Sequence, residues 1–234
     1  MTEDGRNGFE GLTTPLIADA CLNLRLPLRV APVGIKSAVA GQRVAGRARP
    51  VRHYGSVDVF LEALESAQPG DVLVIDNGGR VDEGCVGDLI ALETQRAGLA
   101  GIVIWGLHRD SAEVAEINLP LFSYGTNPAG PQRLDVWDAQ PFDAISFGEH
   151  VVSKGDVVFG DSDGVLFVEA RTLTEVLATA HTIRAKEQRQ AALARQGQSL
   201  REQLHFAEYL QRRAADPAYT FRAHLRQRGG AIEE

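Results

Sequence analysis

Val72-Leu73-Val74-Ile75, then Asp88-Leu89-Ile90-Ala91-Leu92-Glu93-Thr94-Gln95-Arg96-Ala97, then Ile102-Val103-Ile104-Trp105 are the stretches that decide the fold. The first and last are short, mostly β-branched runs, and the first follows Pro69-Gly70-Asp71, so both read as buried strands. The middle stretch is built from good helix formers and stops at Gly98, a usual residue just past a helix end. Strand, helix and strand in this order make a βαβ unit, with parallel strands and a right-handed crossover. The loops that follow the two strands then share one edge of the sheet. In open α/β sheets that carboxyl edge is where ligands bind.

The residues at that edge carry chemistry. Asp88 ends the first loop, and twenty residues later Arg109-Asp110 lies in the second, with Glu113 three positions on. Two carboxylates and a guanidinium are therefore expected to converge with a third acid close by. The loop 76–87 has twelve residues and four glycines, where about 2–6 residues is usual for a βα connection. Its glycines permit close backbone approach to a small ligand. Each acid also has a purely local reading: Asp88 as the cap of its helix, and Asp110-Ser111-Ala112-Glu113 as a capping box. Capping accounts for neither Arg109 nor the long glycine-rich loop, so the constellation as a whole favours a site. His108 stands next to Arg109, but a lone loop histidine is more often structural than catalytic.

With 234 residues and 44% hydrophobic content the chain can bury a full core. A formal net charge of −7 and a pI near 5.4 disfavour a nucleic-acid surface. Cys21 and Cys85 are too few for a disulfide framework or a four-cysteine metal site, and are expected to be reduced thiols. The polar start Met1-Thr2-Glu3-Asp4-Gly5 and the lack of an apolar run near the ~20 residues of a membrane span suggest a soluble, cytoplasmic protein with no membrane partner. There is no G-x-x-x-x-G-K-[ST], no G-x-G-x-x-G opening a helix and no serine elbow. Asp161-Ser162-Asp163-Gly164 lacks the glutamate of a calcium loop and reads as a tight turn.

Along the chain, residues 1–12 form an expected disordered terminus, 13–170 an α/β core and 171–234 a helical extension. A helix near Leu16–Leu22, a strand over Gly41–Ala48 and an amphipathic helix over Ser56–Ala67, capped by Ser56, precede the βαβ unit. A short helix from Ser111 follows, then strands near Leu121–Tyr124, Phe142–Phe147, Asp156–Phe159 and Val165–Val168, the last two a hairpin. Thr172 to Gln196 has no Gly or Pro and carries apolar residues at 173, 176, 177, 180 and 183, which predicts a long amphipathic helix. The Arg-rich tail from 198 reads as helical to Ala215 and breaks at Asp216-Pro217.

The D-x20-R-D spacing, with Ser123-Tyr124-Gly125-Thr126-Asn127-Pro128, Gly41-Gln42-Arg43-Val44-Ala45-Gly46, Pro69-Gly70-Asp71-Val72-Leu73-Val74 and Gly155-Asp156, resembles the RraA-like family. That family includes 4-hydroxy-4-methyl-2-oxoglutarate and 4-carboxy-4-hydroxy-2-oxoadipate aldolases and ribonuclease activity regulators. The stretches 76–80 and 106–110 look closer to an uncharacterised branch than to the aldolases. The resemblance implies a compact α/β sandwich assembled as a homotrimer or homohexamer, with sites between subunits. It implies that Asp110 binds Mg²⁺ or Mn²⁺ and that Glu113 holds metal-bound water. Arg109 would bind the carboxylate or keto oxygen of a small 2-keto acid, Gly87 and Leu89 would contribute to substrate binding, and Asp88 would position a water for proton transfer. Glu187 is the best match to a glutamate that family aldolases supply from a neighbouring chain, beside its reading as an exposed helix residue. The implied reaction is cleavage or decarboxylation of a 2-keto acid through a pyruvate enolate, which a divalent cation and an arginine both stabilise. Lys36, Lys154 and Lys186 lie away from the edge in sequence, so a Schiff base is not expected. The alternative is a non-catalytic interaction module like the ribonuclease regulators. Those lack the acid before the spacer and the long C-terminal extension.

Overall fold

The computed structural model describes residues 9–137 and 140–227. In chain order its elements are α1 (Thr14–Asn23), β1 (Arg29–Val30), β2 (Lys36–Ser37), β3 (Val44–Arg52), α2 (Asp58–Glu65), β4 (Val72–Asp76), β5 (Gly84–Val86), α3 (Asp88–Arg96), β6 (Gly101–Trp105), β7 (Leu107–His108), α4 (Ser111–Ile117), β8 (Leu121–Ser123), β9 (Ala144–Phe147), β10 (His150–Ser153), β11 (Asp156–Asp161), β12 (Gly164–Glu169), a 3₁₀ turn (Ala170–Thr172), α5 (Leu173–Arg195), α6 (Leu200–Gln203), α7 (Phe206–Ala215) and α8 (Phe221–Arg226).

The βαβ unit forms as expected. β4 and β6 pair in parallel with Val72 opposite Gly101 and Asp76 opposite Trp105, and α3 is the crossover. β3 and β8 extend the parallel set on either side. Antiparallel β11, β12 and β1 flank β3, and β2 flanks β8, giving the order β1-β12-β11-β3-β4-β6-β8-β2. The sheet curls into a half-barrel, so that β2 approaches β12.

Side-chain alternation sorts the core into layers. Val72, Val74, Val103, Phe122, Val158 and Phe167 face the concave side, where the β9–β10 hairpin adds Ile145, Phe147 and Val152. Leu73, Ile75, Ile102 and Ile104 face the other side and pack under α2, α3 and α4. All five β4 residues are buried, as expected of a parallel strand covered on both faces. On that same outer side, α1 and α5 cover Phe159, Leu166 and Val168 with Ile17, Ala20, Val176, Leu177 and Ala180.

Several boundaries differ from expectation. The strand read at 41–48 runs Val44–Arg52, because its parallel partner β4 carries the pairing on to Asp76. The helix expected to be capped by Ser56 starts at Asp58 with Val57 at its cap and no side-chain capping bond. The terminus expected to be disordered through residue 12 is packed from Phe9 onward. The Phe9 ring lies 4.9 Å from that of Phe159 in a tilted pair and Leu12 is fully buried; residues 1–8 lie outside the described residues. α5 matches the long helix, but its burial is confined to the first half. Beyond it the tail folds on itself, with Phe206, Tyr209, Tyr219, Phe221 and His224 in mutual ring contact. α7 ends at Ala215 before Asp216-Pro217, as read from sequence, whereas α8 was not foreseen. No described helix is long and apolar enough to cross a membrane.

Candidate functional site

At the carboxyl edge the two loops of the βαβ unit are stitched together. β5, inside what reads as a loop, pairs in parallel with β7, Gly84 opposite Leu107 and Val86 opposite His108. The Arg109 amide then donates to the Val86 carbonyl at 2.9 Å. This pairing fixes the start of α3 against Arg109-Asp110. An alanine Cβ at Gly87 would fall 2.2 Å from Asp110 Oδ2 and 3.1 Å from Arg109 Nε. The missing side chain is what admits both groups.

Neither capping reading describes the acids. Asp110 takes the cap position of α4 but adopts the left-handed conformation, φ 57° and ψ 47°, with no side-chain capping bond. Its carbonyl still accepts the Val114 amide at 2.9 Å. Its carboxylate turns instead to the start of α3, where Oδ2 accepts the Asp88 amide at 3.4 Å and pairs with Arg109 Nε at 3.3 Å. Aspartate is among the few non-glycine residues that tolerate this conformation. Asp88 is the first helical residue after the Gly87 cap, and its Oδ1 accepts the Leu89 amide at 2.7 Å. That carboxylate sits where the positive end of the helix favours it.

Gly87, Asp88, Leu89 and Arg109 line one cavity of ≈ 290 Å³, together with His53, Gly55, Val57, Gly84, Cys85, Ile90 and Pro131. The segment after β8 walls it. Gly84 donates to the Ala129 carbonyl at 2.8 Å, and a Cβ on Gly130 would meet Arg109 Nη1 at 2.7 Å. Burial pushes the Cys85 thiol far above its usual range, which leaves it inert at neutral pH. Lys36, Lys154 and Lys186 are not among the lining residues.

The remaining candidates sit elsewhere. Glu113 is exposed in the first turn of α4. Glu187 is on α5, and burial together with the charge of Asp19 on α1 pushes its carboxyl above the usual range. His108 is buried, its Nδ1 2.8 Å from Ser123 Oγ, and burial pushes its imidazole down. Among the described residues no three His, Cys, Asp or Glu side chains gather into a metal-binding group. The donors present still fit Mg²⁺ or Mn²⁺. Asp110 offers a half-exposed carboxylate beside the cavity, and such ions use one or two protein carboxylates, completing their shell with water and substrate oxygens.

A model of the RraA-like family, described as Aldolase/RraA, matches residues 14–167. The chain belongs to the RraA-like family. A protein of Halalkalibacterium halodurans named "Putative 4-hydroxy-4-methyl-2-oxoglutarate aldolase" is 30% identical over 182 residues, covering 77% of this chain and 83% of that protein. A protein of the same name from Aromatoleum aromaticum is 30% identical over 128 residues, 55% of this chain and 79% of its own length. Among solved structures, an uncharacterised protein of Pseudomonas syringae superposes with a TM-score of 0.76 at 26% identity, covering 86% of this chain and 97% of that one. Streptomyces coelicolor RraAS2, described as an unusual member of the RNase ES inhibitor RraA protein family, gives 0.70 at 27% identity, over 80% and 96%. Proteins named "Putative 4-hydroxy-4-methyl-2-oxoglutarate aldolase" and a member of the RNase ES inhibitor RraA family thus both stand among the relatives of this RraA-like chain.

Sequence reasoning missed one group at the same edge. His53, Asn77, Glu83 and Arg133 form a buried polar cluster, and His53 lines the cavity. The signal was the length of β3: a strand carried to Arg52 puts His53 on the carboxyl edge, whereas one ending at Ala48 leaves it in coil.

Proposed function

We propose that this RraA-like chain is a divalent-metal-dependent carbon–carbon lyase, cleaving or decarboxylating a 2-keto acid to release pyruvate. The observation that carries this reading is the meeting of the Arg109 guanidinium and the Asp110 carboxylate with the start of α3 at Gly87-Asp88, beside a cavity that Arg109, Gly87 and Asp88 line. The aldolase names of relatives at about 30% identity support the same class.

Asp110 would hold the cation, with Glu113 orienting its water and Glu187 from a second copy of the chain as a further donor. Bound there, Mg²⁺ or Mn²⁺ supplies Lewis-acid stabilisation of the negative charge that develops as pyruvate enolate is released. Arg109 clamps the substrate carboxylate or keto oxygen with its planar fork of donors. Gly87 and Leu89 frame the substrate where α3 begins. Asp88 holds a water for proton transfer.

The test is pyruvate release, coupled to lactate dehydrogenase, from oxaloacetate and from 4-hydroxy-4-methyl-2-oxoglutarate, with Mg²⁺, with Mn²⁺ and with EDTA. Release with either metal and its loss in EDTA is the expected result. The regulator reading draws on the likeness to RraAS2; it predicts no release from either compound with either metal.

A further inference from the structure

The cavity has a second polar wall that the lyase reading leaves unused. His53 follows β3, is 5% exposed, and stacks on Phe60 at 5.0 Å with 15° between the ring planes. Arg133 Nη2 donates to Asn77 Oδ1 at 2.8 Å. A guanidinium has no acceptor, so the Asn77 atom that faces it is the oxygen. The same oxygen stands 2.8 Å from His53 Nδ1. Arg133 Nη2 also faces Nδ1, but at 3.3 Å and with its shorter bond going to Asn77 Oδ1; the closer contact of Nδ1 is to an amide oxygen, which only accepts, so Nδ1 carries the imidazole proton and Nε2 the lone pair. Nε2 makes no hydrogen bond among the described residues.

The cluster is itself locked. Glu83, nearly fully buried, accepts from Arg133 Nε at 3.1 Å and pairs with Nη2 at 3.0 Å, and its carboxylate lies 4.0 Å from His53 Nδ1. Gly55 makes room for it, since a Cβ there would meet the Arg133 carbonyl at 2.2 Å. A core histidine with no role would have both ring nitrogens satisfied or face an apolar wall. This one has a fixed tautomer, a carboxylate behind it and an unused lone pair, on a cavity shared with Asp88 and Arg109.

Building on the lyase reading, we propose that His53 is the base that takes the 4-hydroxyl proton of a 4-hydroxy-2-keto acid, with Asn77, Glu83 and Arg133 as the positioning residues that aim it. The hydroxyl proton passes to Nε2 and the O–H electron pair forms the new carbonyl. The C3–C4 bond breaks and its pair enters the pyruvate enolate. The water held on Asp88 protonates C3, as it does after decarboxylation, and Nε2 returns its proton to the hydroxide that remains, so pyruvate and the second carbonyl product leave with no net proton change. Burial holds the imidazole below the usual histidine range and Arg133 adds to this, while the Asn77 bond and the charges of Glu83 and Asp135 oppose it. Asp88 and Arg109 are the other charged groups on the cavity. His53 is therefore a free base at neutral pH.

Oxaloacetate has no hydroxyl to deprotonate, and this separates the base from the rest of the site. In His53→Gln, kcat for 4-hydroxy-4-methyl-2-oxoglutarate cleavage is expected to fall about a hundredfold or more with KM little changed. Oxaloacetate decarboxylation should stay within a few-fold of wild type, which also reports an intact fold. The acid limb of the cleavage profile should vanish in His53→Gln and move to lower pH in Glu83→Gln, where the carboxylate that favours protonation is neutralised. Loss of neither activity in His53→Gln, or an equal loss of both together with an unmoved limb in Glu83→Gln, would overturn the proposal and leave the lyase reading standing. So would a wild-type protein that decarboxylates oxaloacetate but cleaves no 4-hydroxy-2-keto acid. A wild type that releases pyruvate from neither compound ends both.

Discussion

Arg109 and Gly87 are the single residues whose change says most about the site. Arg109→Lys keeps the charge and loses the planar fork, and activity is expected to fall about a hundredfold in kcat/KM. An equal rate in the lysine variant would reduce Arg109 to a general positive charge. Gly87→Ala is compatible with the backbone there, φ −120°, but its Cβ lands on Asp110 Oδ2. The carboxylate must swing away, so activity should drop as it does when Asp110 is changed, while stability shifts by about 1 kcal/mol or less. Urea denaturation of the purified variant checks the second half. Burial pushes both His53 and His108 down, so below the ordinary histidine value of about 6.5 the unfolded chain binds more protons than the folded one. Stability should fall as pH is lowered through that window, and His53→Gln should flatten the fall. Residue identities at the D-x20-R-D spacing were legible in the sequence because they are contiguous or helix-framed. His53 was not, since nothing local marks a histidine whose partners lie 24, 30 and 80 positions away.

Among the elements, the β5–β7 pairing turns a twelve-residue loop into a rigid link between the start of α3 and Arg109. The sequence shows strong periodic elements such as β4, β6, α3 and the first half of α5, because burial on known faces repeats every two or about 3.6 residues. A three-residue strand between glycines has no such period, and Cys85-Val86 was its faint trace. The capping box at 110–113 failed for a related reason. Asp110 is recruited by a tertiary partner, the Asp88 amide, and the local pattern cannot register that. For α3 the expected outcome follows from Asp88 acting on a proton: Asp88→Asn should lower kcat more than it raises KM. Equal changes in both would make Asp88 a helix-end group whose Leu89 bond merely holds the turn.

At the scale of the whole molecule, Glu187 and Asp110 stand on separate elements. Glu187 sits beside Asp19 where α5 packs on α1, whereas Asp110 stands at the carboxyl edge. The metal shell proposed here takes Glu187 from a second copy. The large apolar side chains Leu89, Leu134 and Val136 are 72%, 72% and 94% exposed, and a second copy of the chain could cover them. A homotrimer or homohexamer is the expected assembly, and light scattering that gives a monomer at micromolar concentration would remove Glu187 from the site. The central claim, a metal site on Asp110 that serves carbon–carbon cleavage, is tested most directly by titrating Mg²⁺ into pyruvate-release assays of wild type and Asp110→Asn side by side. Asparagine tolerates the same left-handed backbone, so only the charge changes. Wild-type rate should rise from near zero and saturate with Mg²⁺, while the variant stays near zero throughout; superimposable curves for the two proteins would contradict the account.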